Sequence, residues 1–507
     1  MHDFWDIHDK VYAPYGIVAI GVTLVFLIPP SILIWHNVSR KWSLLGIAFP
    51  IFTWHGIASY VYYPGLVNSD YVRSFLRFAN GQLSKSGHVS ALVRFIHHGE
   101  YLIIPTGAYY LLVPLVLMIS AVFLAHRVLQ DGPSRIFFIL GAVSPVMVVF
   151  ALFMGRDQLV LLLALNLSLL LIKSRTEILS YWELLAAWAI LVMGSMLRLE
   201  FILLAILWCI VRANKITLRG IGKSAIFILS VLAIALPSEK TLMDYGEMAP
   251  FEALEWNSVV AVLDCNHACG LDLPAKVRVA TSFIEREDIR QHYYSWAEAA
   301  ENYRYTEEFP KHCYRADDEK YQLFRRKILS IVQAAILDKP FCIIAARLGV
   351  LVEHFVPQEE VFLFKDLARD PRFSDKFAAA NAKPRSLGRT AQKILEALKN
   401  PLGWSYLLLY SPATYLLIIL AYAAALKGKD RLCMATILVA MPLLGVVALL
   451  APRVSAQYTI IVTGISFPVA CYAIGGISHN DNFRNTISTS WSKLSRRTGA
   501  IRLQKKR

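Results

Sequence analysis

Long apolar runs recur along this chain, and they constrain its fold more than any other feature. The hydrocarbon layer of a bilayer is about 30 Å thick and a helix rises about 1.5 Å per residue, so a span needs roughly 20 mostly apolar residues. Inside that layer every backbone N–H and C=O must find a partner within the protein, which helices provide. Runs of this kind lie at Gly16–Trp35, Leu44–Tyr62, Tyr101–Leu124, Ile136–Phe153 and Leu159–Ile172. They continue at Trp182–Leu197, Phe201–Val211, Ala225–Leu236, Leu402–Leu426, Ala435–Ala451 and Tyr458–Ile477. The expectation is an all-α polytopic membrane protein with roughly eleven transmembrane helices. The runs Phe201–Val211 and Ala225–Leu236 are short and make the count soft. Acidic Asp3, Asp6 and Asp9 precede the first run, and Pro29-Pro30 falls within it. That is the pattern of a retained span, since a cleaved signal carries a basic leader.

The net charge is +15, and its placement excludes nucleic acid as the reason for it. Lys and Arg gather in alternate short connections: Arg40-Lys41, Arg127 with Arg135, Lys173 with Arg175, Arg212 to Lys223, and Lys427 to Arg431. Short basic loops stay cytoplasmic, so the alternation is topological. It predicts an inner (cytoplasmic) membrane protein with its N-terminus outside. The basic tail, ending in Lys505-Lys506-Arg507, lies inside against an anionic leaflet. Residues 1–236 then form an N-terminal transmembrane region with an outer loop at 63–100, and 237–401 form a large outer-side (periplasmic) loop region before the last three spans. Residues 402–477 hold the C-terminal helices and 478–507 the cytoplasmic tail. Within the large outer region, Tyr321 to His354 reads as an amphipathic helix, lying either in the headgroup plane or on the rest of the loop. The Cys265–Cys269 spacing suits a tight disulfide or a weak metal clip; on that oxidising side the expectation is a disulfide of Cys265 with Cys269 or Cys313, or free thiols.

The informative residues are charges at the outer ends of the runs, where topology gives no reason for them. Asp70 follows the second run, Arg156-Asp157 separates the fourth from the fifth, and Arg198 and Glu200 mark the turn after the sixth. Arg453 lies between the tenth and eleventh. Each alone is a polar turn or a snorkelling arginine. Together they put several arginines beside carboxylates at one boundary. Arginine forks bind phosphate oxygens bidentately, and a carboxylate accepts a proton from an attacking hydroxyl. His97-His98 near the third run is a substrate contact or an interfacial turn, and adjacent histidines do not share a helix face for a metal. Gly220-Ile221-Gly222-Lys223-Ser224 lacks the glycine spacing of a phosphate loop.

At these residues the sequence resembles the polytopic GT-C membrane glycosyltransferases. The likeness lies in Tyr63-Pro64-Gly65 leading to Asp70, the Gly155-Arg156-Asp157 turn, Arg198, and Arg453 with Tyr458 before the last run. A large outer segment ahead of the final spans is similar too. The resemblance implies transfer of a sugar from a polyprenyl-phosphate-linked donor to a cell-envelope glycan, lipid or protein acceptor on the outer side. Asp70 would act as the base. Arg156, Arg198 and Arg453 would stabilise the departing phosphate, and Asp157 and Glu200 would orient the arginines or bind a divalent cation. The rival readings are an O-antigen polymerase or ligase using diphosphate-linked donors, and a transporter or flippase. A transporter requires ionisable groups or broken helices at mid-membrane, for which the candidates are Pro29-Pro30, Pro145 and Glu183.

Overall fold

The computed structural model describes residues 16–37, 43–61, 66–67, 112–129, 132–144, 147, 156–213, 218–243, 340–341, 362–363, 411–426, 428–450 and 459–478. Among them are eleven α-helices, one for each apolar run: α1 (Gly16–Asn37), α2 (Ser43–Val61), α3 (Leu112–Val128), α4 (Gly132–Ala142), α5 (Arg156–Thr176) and α6 (Tyr181–Leu197). The others are α7 (Ile202–Arg212), α8 (Leu218–Met243), α9 (Pro412–Ala425), α10 (Arg431–Leu450) and α11 (Ile460–Ser478). The fold is helical. Its extended part among the described residues is one antiparallel pairing of β1 (Leu66–Val67) with β2 (Phe362–Leu363), in the register Leu66↔Leu363 and Val67↔Phe362. That ladder ties the segment after α2 to the large segment before α9. Among the described residues, two helices, Asp157–Thr176 and Ile460–Ser478, are long and apolar enough by length and composition to cross a membrane.

These two helices, within α5 and α11, form the core. Leu159 to Ile172 is buried around its whole circumference, as is most of α11. Close approach depends on small residues. A Cβ built on Gly464 would lie 2.6 Å from the Ala164 Cβ and 3.0 Å from the Leu161 carbonyl oxygen, so only glycine fits there. Ser168 Oγ donates to Ala164 O at 2.8 Å and reaches Gly464 O at 3.3 Å across the same interface. Around α11, Phe467 stacks on Phe138 of α4 at 5.4 Å and meets Tyr415 of α9 at a tilt, 5.3 Å between ring centroids.

Side-chain pairs fix how the helices run. Asp157 meets Arg198 at one end of α5 and α6, and Lys173 meets Glu183 at the other, so the two are antiparallel. α1 ends at the Lys173 end through Asn37, and α3 ends there through Arg127 and Glu177. α2 begins there, with Ser43 Oγ 2.9 Å from His126 Nε2. Tyr472 donates to Asp430, just ahead of α10, at 3.1 Å, and Arg175 lies within electrostatic reach of Cys433. The ends of α1, α3 and α5 and the starts of α2, α6 and α10, beside four of the five basic clusters in the connections, therefore share one end of the bundle. Asp157 and Arg198 lie at the opposite end.

Two expectations change. The run Ile136–Phe153 is not one helix from its start: α4 closes at Ala142 and the chain turns at Val143–Ser144. The residue before a proline is pushed out of the helical region, and Pro145 follows directly. The Ser144 hydroxyl then accepts from Met147 N at 3.2 Å, as a cap for the next turn. Lys173, read as part of a short basic connection, lies in the last turn of α5 and is buried in an ion pair.

Candidate functional site

The site is built on two helix ends that each favour the charge they carry. Asp157 lies in the first turn of α5, where the helix dipole stabilises an anion. Arg198 caps the C-terminus of α6, where it stabilises a cation. Arg198 is extended (φ −148°, ψ 120°), and its N–H closes α6 on Gly194 O at 2.8 Å. Phe201 N then donates to Arg198 O at 2.9 Å, forming the short 3-10 turn Leu199–Phe201. The Phe201 ring folds onto Gly194 where any larger residue would place a side chain, so glycine permits the turn that aims Arg198 at α5.

Arg198 donates from Nε at 3.0 Å and from Nη2 at 2.7 Å, both to Asp157 Oδ1. Asp157 is 6% exposed and Arg198 9%. A charge buried to this degree must be paired, because loss of one partner strands the other away from water. The pair holds the guanidinium plane in one orientation at the mouth of the apolar bundle. Ser195 lies one turn below on α6, buried, and its hydroxyl has no hydrogen-bond partner among the described residues. Nothing in the sequence distinguished Ser195 from an ordinary small helix residue.

Of the residues singled out in the sequence, Asp157 and Arg198 are brought into contact. Glu200 is half-buried in the turn that follows. Arg156 opens α5, but its side chain lies outside the described residues, as do Asp70, His97, His98 and Arg453. In sequence, β1 ends shortly before Asp70 and α11 begins shortly after Arg453. Cys265, Cys269 and Cys313 also lie outside the described residues. Among the described residues no three His, Cys, Asp or Glu side chains gather to hold a metal, and Asp157 is engaged by Arg198.

A second buried cluster occupies the other end. Lys173 Nζ donates to Asn37 Oδ1 and to Glu183 Oε1, each at 2.6 Å, and Asn37 Nδ2 donates to Leu33 O at 2.8 Å. Glu183 forms a capping box with Ser180, accepting from the Ser180 N–H at 3.0 Å. Glu183 is thus a helix-end group with its partners in place.

Comparison with protein-family models, with curated proteins and with solved structures found no match.

Proposed function

We propose that this chain is a multi-spanning membrane glycosyltransferase that takes a sugar from a polyprenyl-phosphate donor on the outer side of the inner membrane. The observation that carries the reading is the Asp157–Arg198 pair: an arginine held by a carboxylate at the mouth of the apolar bundle, at the end opposite the basic connections. A departing lipid phosphate gains negative charge as the glycosidic bond breaks. A fixed guanidinium beside it stabilises that charge strongly where water competes poorly. Asp157 sets the fork, and Arg156 and Arg453 are assigned to the same phosphate. Asp70 removes the proton from the acceptor hydroxyl. The acceptor is a glycan, lipid or protein of the cell envelope.

Spanning by all eleven helices belongs to the same proposal. Other helices of the bundle also turn large apolar side chains outward: Ile28 on α1, Phe49 on α2, Ile226 on α8, Leu417 on α9 and Leu438 on α10. A bundle with a buried apolar core and an apolar outer wall suits lipid as its solvent.

Purified protein incubated with a polyprenyl-phosphate sugar should release polyprenyl phosphate when an acceptor is supplied. Arg198→Lys should abolish most of this release while the protein still inserts, because a point charge does not replace a fork. Asp70→Asn should lower the rate on the order of 100-fold while leaving donor binding intact. Release from diphosphate-linked donors alone would reassign the chain to the polymerase or ligase class.

A further inference from the structure

We propose that the ends of α1, α3, α5 and α6 form a rigid rim that seats the protein in the headgroup layer of an anionic leaflet. This rests on the membrane reading and is independent of the reaction. The turn between α5 and α6 exposes Ile178 almost completely (98%) and Tyr181 to 72%, with Trp182 beside them in an edge-to-face contact at 5.8 Å. Trp35, at the end of α1, is 80% exposed.

The turn is rigid, because its polar groups are satisfied within the protein. The Ser180–Glu183 capping box closes it, and Lys173 and Asn37 lock it to α1. Arg127 grips Glu177 through Nε at 2.9 Å and Nη2 at 3.1 Å, which brings in the end of α3. The exposed apolar groups are therefore held outward and need an occupant.

Three observations select lipid headgroups. Tyr and Trp, with an apolar body and a polar tip, are the residues that settle at a membrane interface. Trp35 ends an apolar stripe on α1 that includes Leu24 and Ile28, so the rim lies where the apolar wall meets the charged end. Arg127 and Arg175 flank it at the end where the basic connections gather. That charge repels a second copy of the same surface and attracts acidic lipid.

The test uses full-length Ile178→Cys carrying a polarity-sensitive fluorophore in lipid nanodiscs, with identically treated wild type as the blank. Emission should shift to the blue, and a spin label near the headgroup should quench it roughly twofold more than one at the chain end. Replacing about a third of a neutral phosphatidylcholine bilayer with phosphatidylglycerol should raise the melting temperature, and Arg175→Gln should remove most of that gain. Quenching by aqueous iodide alone, stronger quenching from the chain end, or self-quenching between copies would each overturn the rim. Equal melting temperatures in the two lipids would overturn the anionic preference and the proposal with it. A protein that does not enter nanodiscs at all would overturn the membrane reading itself, an outcome distinct from a rim that enters but faces water.

Discussion

The Asp157–Arg198 contact joins residues far apart in sequence, and neither residue type nor spacing declares it. The sequence marks each as a charge for which topology gives no reason and puts both on the same side, but the pairing needs the packing of α5 on α6. Lys173 illustrates the reverse: by position it reads as one more basic loop residue, yet folding buries it against Glu183. Burial predicts how the outer pair behaves on mutation. Asp157→Ala and Arg198→Ala should each destabilise by about 3–5 kcal/mol, because each strands a buried charge. The double variant should cost well under the sum, since neither charge remains. Unfolding of the purified protein in mixed detergent measures all three, and strictly additive losses would show that the two residues do not act as a unit.

Hydropathy found each helix but misjudged where several begin and end, because an apolar run marks what can face lipid while a helix is a hydrogen-bond ladder. α8 extends to Leu218–Met243, beyond the run Ala225–Leu236, because polar Arg219 and Ser238 can continue a ladder without adding hydropathy. α4 stops early because Pro145 overrides apolar composition. The interfaces between helices were not legible at all. Gly464 has no special mark in the sequence, yet its missing side chain lets α11 approach α5 until Ser168 reaches a carbonyl across the gap. Gly464→Val should therefore destabilise by about 1–3 kcal/mol through overpacking. Gly46→Val on α2 is the control, since nothing lies within 4 Å of a Cβ there. Thermal unfolding of the two variants side by side is the measurement; equal losses would mean that α5 and α11 separate readily.

At the scale of the whole molecule, two buried ion pairs bracket the central helix. Asp157 and Lys173 are 16 residues apart on α5, about 24 Å along the axis, close to the thickness of a hydrocarbon layer. Between them the polar side chains are Gln158 at the Asp157 end, then Asn166 and Ser168, and the last two donate to backbone carbonyls. Charges fall at two boundaries and are absent between them, as a bilayer would require. The same geometry makes orientation testable, because the basic connections and the Asp157–Arg198 pair occupy opposite ends. Cysteines placed at Ser84 and Ser374, in the segments assigned outside, should react with an impermeant thiol reagent added to intact cells. Cysteines at Ser490 in the tail and at Ile178 in the α5–α6 turn should react only after permeabilisation. Ile178 is informative through labelling from outside: it is 98% exposed, so protein packing would not prevent that labelling, whereas protection alone also follows from the headgroup seat proposed above. Labelling of the Ile178→Cys variant from outside would place the basic end outward and put Arg198 on the cytoplasmic side, where the donor chemistry proposed above does not take place.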